Sequence, residues 1–127
     1  MLIEKILEKL KNSSEMQELL WENIFYNSPI NKPKNCYLII KQISKTKKWE
    51  FVFKSRISFI IIWWDAKQKQ QISKQLYIIF NGFNSGKYNY KSKFHNEWNL
   101  EDWNIKYLDF MFFEFIDKSF KEKVNFN

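Results

Sequence analysis

Between residues 49 and 80, a long strand pattern stops at Asp65 and a helical pattern begins. Residues 49–59 alternate between apolar and polar side chains, and residues 60–64 continue as an apolar run of isoleucine and tryptophan. β-Branched and aromatic residues dominate this segment, as a pleated sheet surface favours. Beyond Asp65 the apolar residues take the spacing of a one-faced helix, at Ile72, Leu76, Ile79 and Phe80. A strand that feeds directly into a covering helix indicates a domain of the α+β class.

Residues typical of helix ends lie on both sides of this helix. Asp65 is a residue type that caps the first turn of a helix, because its carboxylate accepts a hydrogen bond from a free backbone N–H. Gly82 suits the left-handed conformation that often follows the last turn. The sequence therefore predicts a helix over residues 66–80.

The first part of the chain adds a helix and three strands. Apolar residues at helical spacing predict a helix at residues 2–10, and Ser14 is expected to cap a short helical turn after it. Residues 27–35 hold both prolines and are predicted to form a loop. Residues 45–48 are predicted to form a charged hairpin turn. The strands predicted on either side of these connections are residues 23–26, 36–43 and 49–64.

The second part of the chain predicts two more strands. Residues 87–95 alternate in the manner of a strand or an exposed ribbon, and residues 96–103 are polar and aromatic, which favours a turn or an extended loop. Residues 105–116 form a final strand that is apolar on both faces, which is typical of a central strand or an interface. Residues 118–127 are expected to form a flexible tail.

These elements predict one domain over residues 1–127. A chain of this length is near the usual size for a single hydrophobic core, and its 45% hydrophobic content argues against disorder. The predicted order is α-(β)-β-β-α-β-β. This order implies a mostly antiparallel sheet with helices packed on one face, in the α+β class.

Aromatic content is high, at 20%, with 13 Phe, 6 Trp and 6 Tyr. A core of this size cannot enclose all of these rings, and exposed apolar surface usually marks a partner interface. The sequence therefore favours a subunit of an assembly. The candidate interface residues are Trp63, Trp64, Phe110, Phe112, Phe113 and Phe115.

The formal net charge of +7 favours polyanionic partners such as nucleic acid. Lysines alternate with aromatic residues in one ribbon, a pattern that could contact phosphates and stack bases. The same pattern also describes an amphipathic edge strand, and a single arginine, Arg56, accompanies the lysines although phosphate sites favour arginine. The candidate nucleic-acid residues of this alternative function, a small basic binding module, are Lys87, Tyr88, Tyr90, Lys91 and Lys93.

Candidate catalytic groups are few. His95 is the only histidine, and the nearby carboxylates Glu97, Glu101 and Asp102 have no spacing that fixes an acid–base pair. The sequence favours instead a surface histidine on a strand edge and a loop folded onto the sheet. The sequence thus predicts no enzyme, no cofactor and no metal, and no apolar run approaches the ~20 residues of a membrane span.

Three other polar or reactive residues have structural interpretations. Asp109 and Glu114 interrupt the apolar final strand and are either buried acids or partners of Lys or Arg56. Cys36 is the only cysteine, so an internal disulfide is excluded, and it is predicted to be a small buried residue at a strand start.

The arrangement of segments resembles the tail terminator and tail-completion proteins of long-tailed bacteriophages. Those proteins open with a helix and continue through a short strand and a proline-containing loop, matched here by residues 24–26 with Pro29 and Pro33. A strand with Tyr37, Ile40 and Ile43 follows, then a long strand ending at residues 60–66 that runs into a helix. The resemblance spans residues 2–116, with a more aromatic second half and only Arg56 to represent the arginine that usually precedes the long strand.

This resemblance implies a non-enzymatic virion subunit that is assembled in the host cytoplasm. In the family, copies form a ring that terminates the tail tube and joins it to the head connector, and DNA passes through the central channel. The implied partners are other copies of this chain in a ring homo-oligomer, with a hexamer as the family arrangement, together with tail-tube and head-connector proteins. A closed ring requires a heterologous interface whose rotation closes.

Overall fold

The computed structural model has the α+β class that the sequence predicts, with helices and a mostly antiparallel sheet. It describes residues 2–20, 22–29, 33, 35–49, 52–82, 84–85, 90–100 and 103–115. The predicted tail at residues 118–127 lies outside the described residues, as do Lys87 and Tyr88.

Three helices are present in the described residues: α1 (Leu2–Lys11), α2 (Ser14–Leu20) and α3 (Ala66–Phe80). The ends predicted for α3 are confirmed, since Oδ1 of Asp65 accepts from the backbone N–H of Lys67 at 3.0 Å and Gly82 has a φ of 81°. Ser14 was the wrong choice of cap for α2. The hydroxyl of Ser13 accepts from the N–H of Met16 at 3.3 Å, because the cap residue lies before the first helical residue.

The described strands form one sheet in the order β1-β2-β3-β6-β5-β4. β1 runs parallel to β2, and the other neighbours are antiparallel. The strands are β1 (Ile24–Tyr26), β2 (Tyr37–Trp49), β3 (Val52–Ile62), β4 (Asn84–Ser85), β5 (Tyr90–Leu100) and β6 (Ile105–Phe115). β3 and β6 therefore occupy the centre of the sheet.

All three helices cover the same face of the sheet, which we call the helix face. Their buried side chains, such as Ile6, Met16 and Leu76, join alternate residues of the strands in one apolar cluster. The centre of this core is aromatic: Phe59 stacks on Phe80 at 5.0 Å between ring centroids. Interdigitated rings of this kind hold the helices against the sheet.

The opposite face, which we call the second face, carries the other alternate residues of the strands. Where β3 begins and β6 ends, this face holds a separate apolar cluster of Val52, Met111, Phe113 and Phe115. The two faces of β6 are therefore apolar as predicted. None of the three described helices contributes to this second cluster.

Two predicted connections were wrong. The charged residues 45–48 belong to β2, which continues to Trp49 and pairs with β3 as far as Val52. Residues 96–100 belong to β5 and pair with β6, with Leu100 opposite Ile105. In both cases the backbone ladder extends a strand through residues whose side chains are mostly exposed, so the side-chain pattern did not reveal it.

Candidate interaction surfaces

Three tryptophans and a leucine lie at one end of the sheet. We call this surface the tryptophan end, and it consists of Trp63, Trp64, Leu100 and Trp103. Residues after β3 and before β6 meet there, because Ile62 lies opposite Ile105 and the N–H of Trp63 donates to the carbonyl of Asn104 at 3.0 Å. Trp64 is 53% exposed and Trp103 is 75% exposed. Large apolar side chains at this exposure are the usual signature of a contact surface.

The two adjacent tryptophans have different environments. Trp63 packs against the helix-face core, and the ammonium of Lys69 lies 4.3 Å from its ring centroid. Trp64 contacts the ring of Tyr37 at 6.2 Å between centroids and otherwise faces outward. Trp64 also borders a groove of about 340 Å³ between α2 and α3, beside Leu19 and Gln68. A partner chain can therefore contact both the exposed indole of Trp64 and the groove beside it.

The four phenylalanines predicted at the interface lie in two places. Phe110 and Phe112 are fully buried in the helix-face core, and Phe113 and Phe115 belong to the cluster on the second face. Of the six candidate interface residues, Trp64 has the largest exposed fraction. Sequence reasoning missed Trp103, although a third tryptophan close to a strand start was a usable signal.

Lysines of the predicted nucleic-acid ribbon lie on the second face. Lys91 is opposite Phe113 and Lys93 is opposite Met111. The backbone of Tyr90 belongs to β5, while its side chain, like Lys87 and Tyr88, lies outside the described residues. On the same face Lys54 and Arg56 occupy the matching rows of β3, so pairing of distant strands enlarges the basic group.

A buried ion pair lies at the centre of the second face. The Nε of Arg56 donates to Oδ2 of Asp109 at 2.5 Å, and Asp109 is fully buried. Among the described residues Oδ1 of Asp109 has no hydrogen-bond partner, nor has the hydroxyl of Ser58 directly across the strand pair. Arg56 is therefore the counter-charge that permits this carboxylate inside the sheet. Glu114 takes the other predicted role and pairs with Lys45 at 3.7 Å.

Two of the catalytic candidates, His95 and Glu97, lie on β5. His95 is exposed beside an irregularity of β5, and Glu97 forms an ion pair with Lys106 at 3.3 Å. Glu101 and Asp102 lie outside the described residues. Across the part of the chain that the structure describes, no group of three or more His, Cys, Asp or Glu could hold a metal ion. None of the helices described has the length and apolar character needed to cross a membrane.

Cys36 is buried directly before β2, as predicted. Burial, with a smaller contribution from the charge of Asp65, raises the pKa of its thiol from 9.0 to about 11.

At pH 8 we therefore expect iodoacetamide to alkylate Cys36 in the native protein about 100-fold more slowly than in the urea-unfolded protein, since the thiolate is the nucleophile. The unfolded state loses this proton more readily, so stability should fall as pH rises from 9.0 towards about 11. Equal alkylation rates in both states would contradict this assignment.

Comparison with known proteins gives a likeness of fold. No family model matches the sequence, and no curated protein matches it at a significant level. A chain in the solved structure described as "Virion of native gene transfer agent (GTA) particle" aligns with a TM-score of 0.56 and 12% sequence identity. The alignment covers 85% of this chain and 88% of that chain. Nearly the whole of this α+β architecture is thus shared with a chain of a virion particle.

Proposed function

We propose that this protein is a structural, non-enzymatic subunit of a phage-like virion. The observation that carries the proposal is the fold likeness to a chain of a gene transfer agent virion, which extends over most of both chains. The exposed tryptophan end supports it independently, because this surface is suited to contacts between subunits. Of the candidate catalytic residues, Glu97 already pairs with Lys106.

The finer proposal is a ring of identical copies that terminates the tail tube and joins it to the head connector. It follows the resemblance of the chain to tail terminator proteins. We place one side of the contact between copies at the tryptophan end, where Trp64 would insert into a neighbour. In this proposal, Phe113 and Phe115 stabilise the second face of the same subunit by packing within its apolar cluster. Phe110 and Phe112 would act indirectly, by fixing the sheet on which these surfaces lie.

The tryptophan end is tested by charging Trp64. We expect Trp64→Glu to weaken association of the copies by about 30-fold or more, because buried tryptophans at interface centres contribute about 2 kcal/mol or more. The measurement is the concentration dependence of molar mass by size-exclusion chromatography with multi-angle scattering. Monomer folding is checked in parallel by circular dichroism.

Ile78→Glu is the matched control. Ile78 is also an exposed apolar residue, but it lies near the end of α3, away from the tryptophan end. We expect this variant to assemble as the wild type does. A wild-type protein that stays monomeric at all concentrations, or equal losses from both variants, would overturn the placement of the interface.

A further inference from the structure

The second face carries a band of apolar side chains next to the tryptophan end. Two neighbouring rows of the sheet, which cross β2, β3, β6 and β5, contain only apolar and aromatic side chains on this face. The first row has Ile60 of β3 at its centre, and the second has Ile62. We call this surface the apolar band, and it consists of Ile39, Ile60, Ile62, Trp98, Ile105 and Tyr107.

The apolar band differs from the two apolar clusters of the protein in its exposure. All six of its side chains are half-buried, and none of them belongs to the helix-face core or to the cluster that contains Phe113. The described helices lie on the opposite face of the sheet. The next row towards Phe113 is polar, with Ser58 opposite Asp109, so the band has a clear limit. No described helix therefore covers this apolar surface.

The sequence of β3 indicates that a partner covers the band. At its start β3 places polar side chains on the second face, at Lys54, Arg56 and Ser58. Residues 59–62 are a continuous apolar run instead, so both faces of the sheet are apolar at this end of the strand. An antiparallel strand with one face in water alternates polar and apolar residues, whereas a continuous apolar run is typical of a strand that is buried on both faces.

We propose that the apolar band receives the tryptophan end of a second copy of this chain, a step that rests on the proposed function. The two surfaces are continuous within one copy, because Leu100 of the tryptophan end lies opposite Ile105. Neither row of the band holds a charged side chain, so copies that each carry a formal charge of +7 meet there with the least repulsion. An acidic partner would find no cation in the band to pair with.

In this contact the end of one sheet packs against the face of the next. The rings of Trp98 and Tyr107 stack at 4.9 Å between centroids, which gives an entering indole a rigid aromatic surface. Trp64 and Trp103 of the neighbouring copy supply exposed indoles of this kind. Each copy offers its tryptophan end to one neighbour and its band to another. A heterologous contact of this type is the one that a closed ring requires.

The experiment mixes two variants that are each defective on one side of the contact. Trp64→Glu keeps the apolar band, and Ile60→Thr/Ile62→Thr keeps the tryptophan end. Threonine preserves the β-branched shape that a strand favours. The matched control is Ile43→Thr/Ile78→Thr, which makes the same change at two exposed isoleucines outside the band. Circular dichroism melting checks folding.

Molar mass is measured by size-exclusion chromatography with multi-angle scattering at one total concentration. Each defective variant alone should associate about 30-fold or more weakly than the wild type, because it lacks one half of the contact. Their equimolar mixture should reach twice the monomer mass and grow no further, since one intact contact joins two different copies. The control should assemble as the wild type does. If Ile60→Thr/Ile62→Thr is unfolded, Ile39→Thr on β2 takes its place in the mixture.

The outcomes separate this inference from the proposed function. A mixture that stays monomeric while the wild type assembles would overturn the band as the receiving surface and leave the proposed function intact. Assembly of Trp64→Glu alone, or a wild type that stops at a dimer, would overturn it in favour of a two-fold pair. A wild type that is monomeric at every concentration would contradict the ring itself.

Discussion

Replacing Phe110 by alanine is expected to lower the free energy of unfolding by about 3–5 kcal/mol. The ring is fully buried and contacts three others, with centroids 5.5 Å from Phe59, 6.0 Å from Phe80 and 5.6 Å from Phe94. Its removal leaves a cavity between the central strand β6 and helix α3, which the surrounding aromatic rings are too rigid to fill. Urea unfolding followed by tryptophan fluorescence measures the change.

Trp103→Ala is the control for this prediction. Trp103 is 75% exposed, so its loss should change the stability of the monomer by less than about 0.5 kcal/mol. Composition alone does not distinguish buried aromatic residues from exposed ones. The comparison of the two variants makes that distinction, with Phe110 in the core and Trp103 on the surface. A loss of stability in Trp103→Ala as large as that in Phe110→Ala would show that this division is wrong.

Arg56→Met is expected to destabilise the protein by about 3 kcal/mol at neutral pH. The substitution keeps much of the aliphatic stem of Arg56 but leaves the carboxylate of Asp109 buried without its counter-charge. Asp109 then has neither a cation nor a hydrogen-bond donor for Oδ1 among the described residues. Chemical denaturation of the two proteins under the same conditions gives the difference.

A second substitution and a control make this prediction specific. In Arg56→Met/Asp109→Leu no charge remains buried, so most of the lost stability should return. Lys54→Met removes a cation two residues earlier on the same face of β3, where no buried carboxylate lies opposite, since its β6 neighbour is Phe113. This control should cost less than about 1 kcal/mol. If Arg56→Met costs no more than Lys54→Met, Asp109 does not depend on Arg56.

Elements with a repeating apolar pattern were predictable from the sequence. The bounds of α3 follow from Asp65, the helical spacing and Gly82, all of which act within a few residues. The division of β6 into two apolar faces also follows from simple alternation, and the structure places Phe110 and Phe113 on opposite sides as expected. These features depend on local backbone geometry, which a single segment is enough to specify.

Exposed strand segments were not predictable in the same way. Residues 45–48 have no apolar alternation, residues 96–100 have it only at Trp98 and Leu100, and most side chains of both segments are exposed. Their strand conformation comes from hydrogen bonds to a neighbouring strand, which any residue with a backbone N–H can make. The hairpin of β2 and β3 therefore extends beyond the turn that its lysines had suggested.

By itself, the sequence determined the α+β class, the capped helix α3, the two apolar faces of β6 and the excess of aromatic and basic residues. Only the tertiary structure decided which rings are core and which are exposed at the tryptophan end. It alone joined Lys54 and Arg56 of β3 with Lys91 and Lys93 of β5, through the β6 strand between them. The physical reason is that periodicity fixes the side of a strand on which a residue lies, whereas surfaces are made by long-range strand pairing.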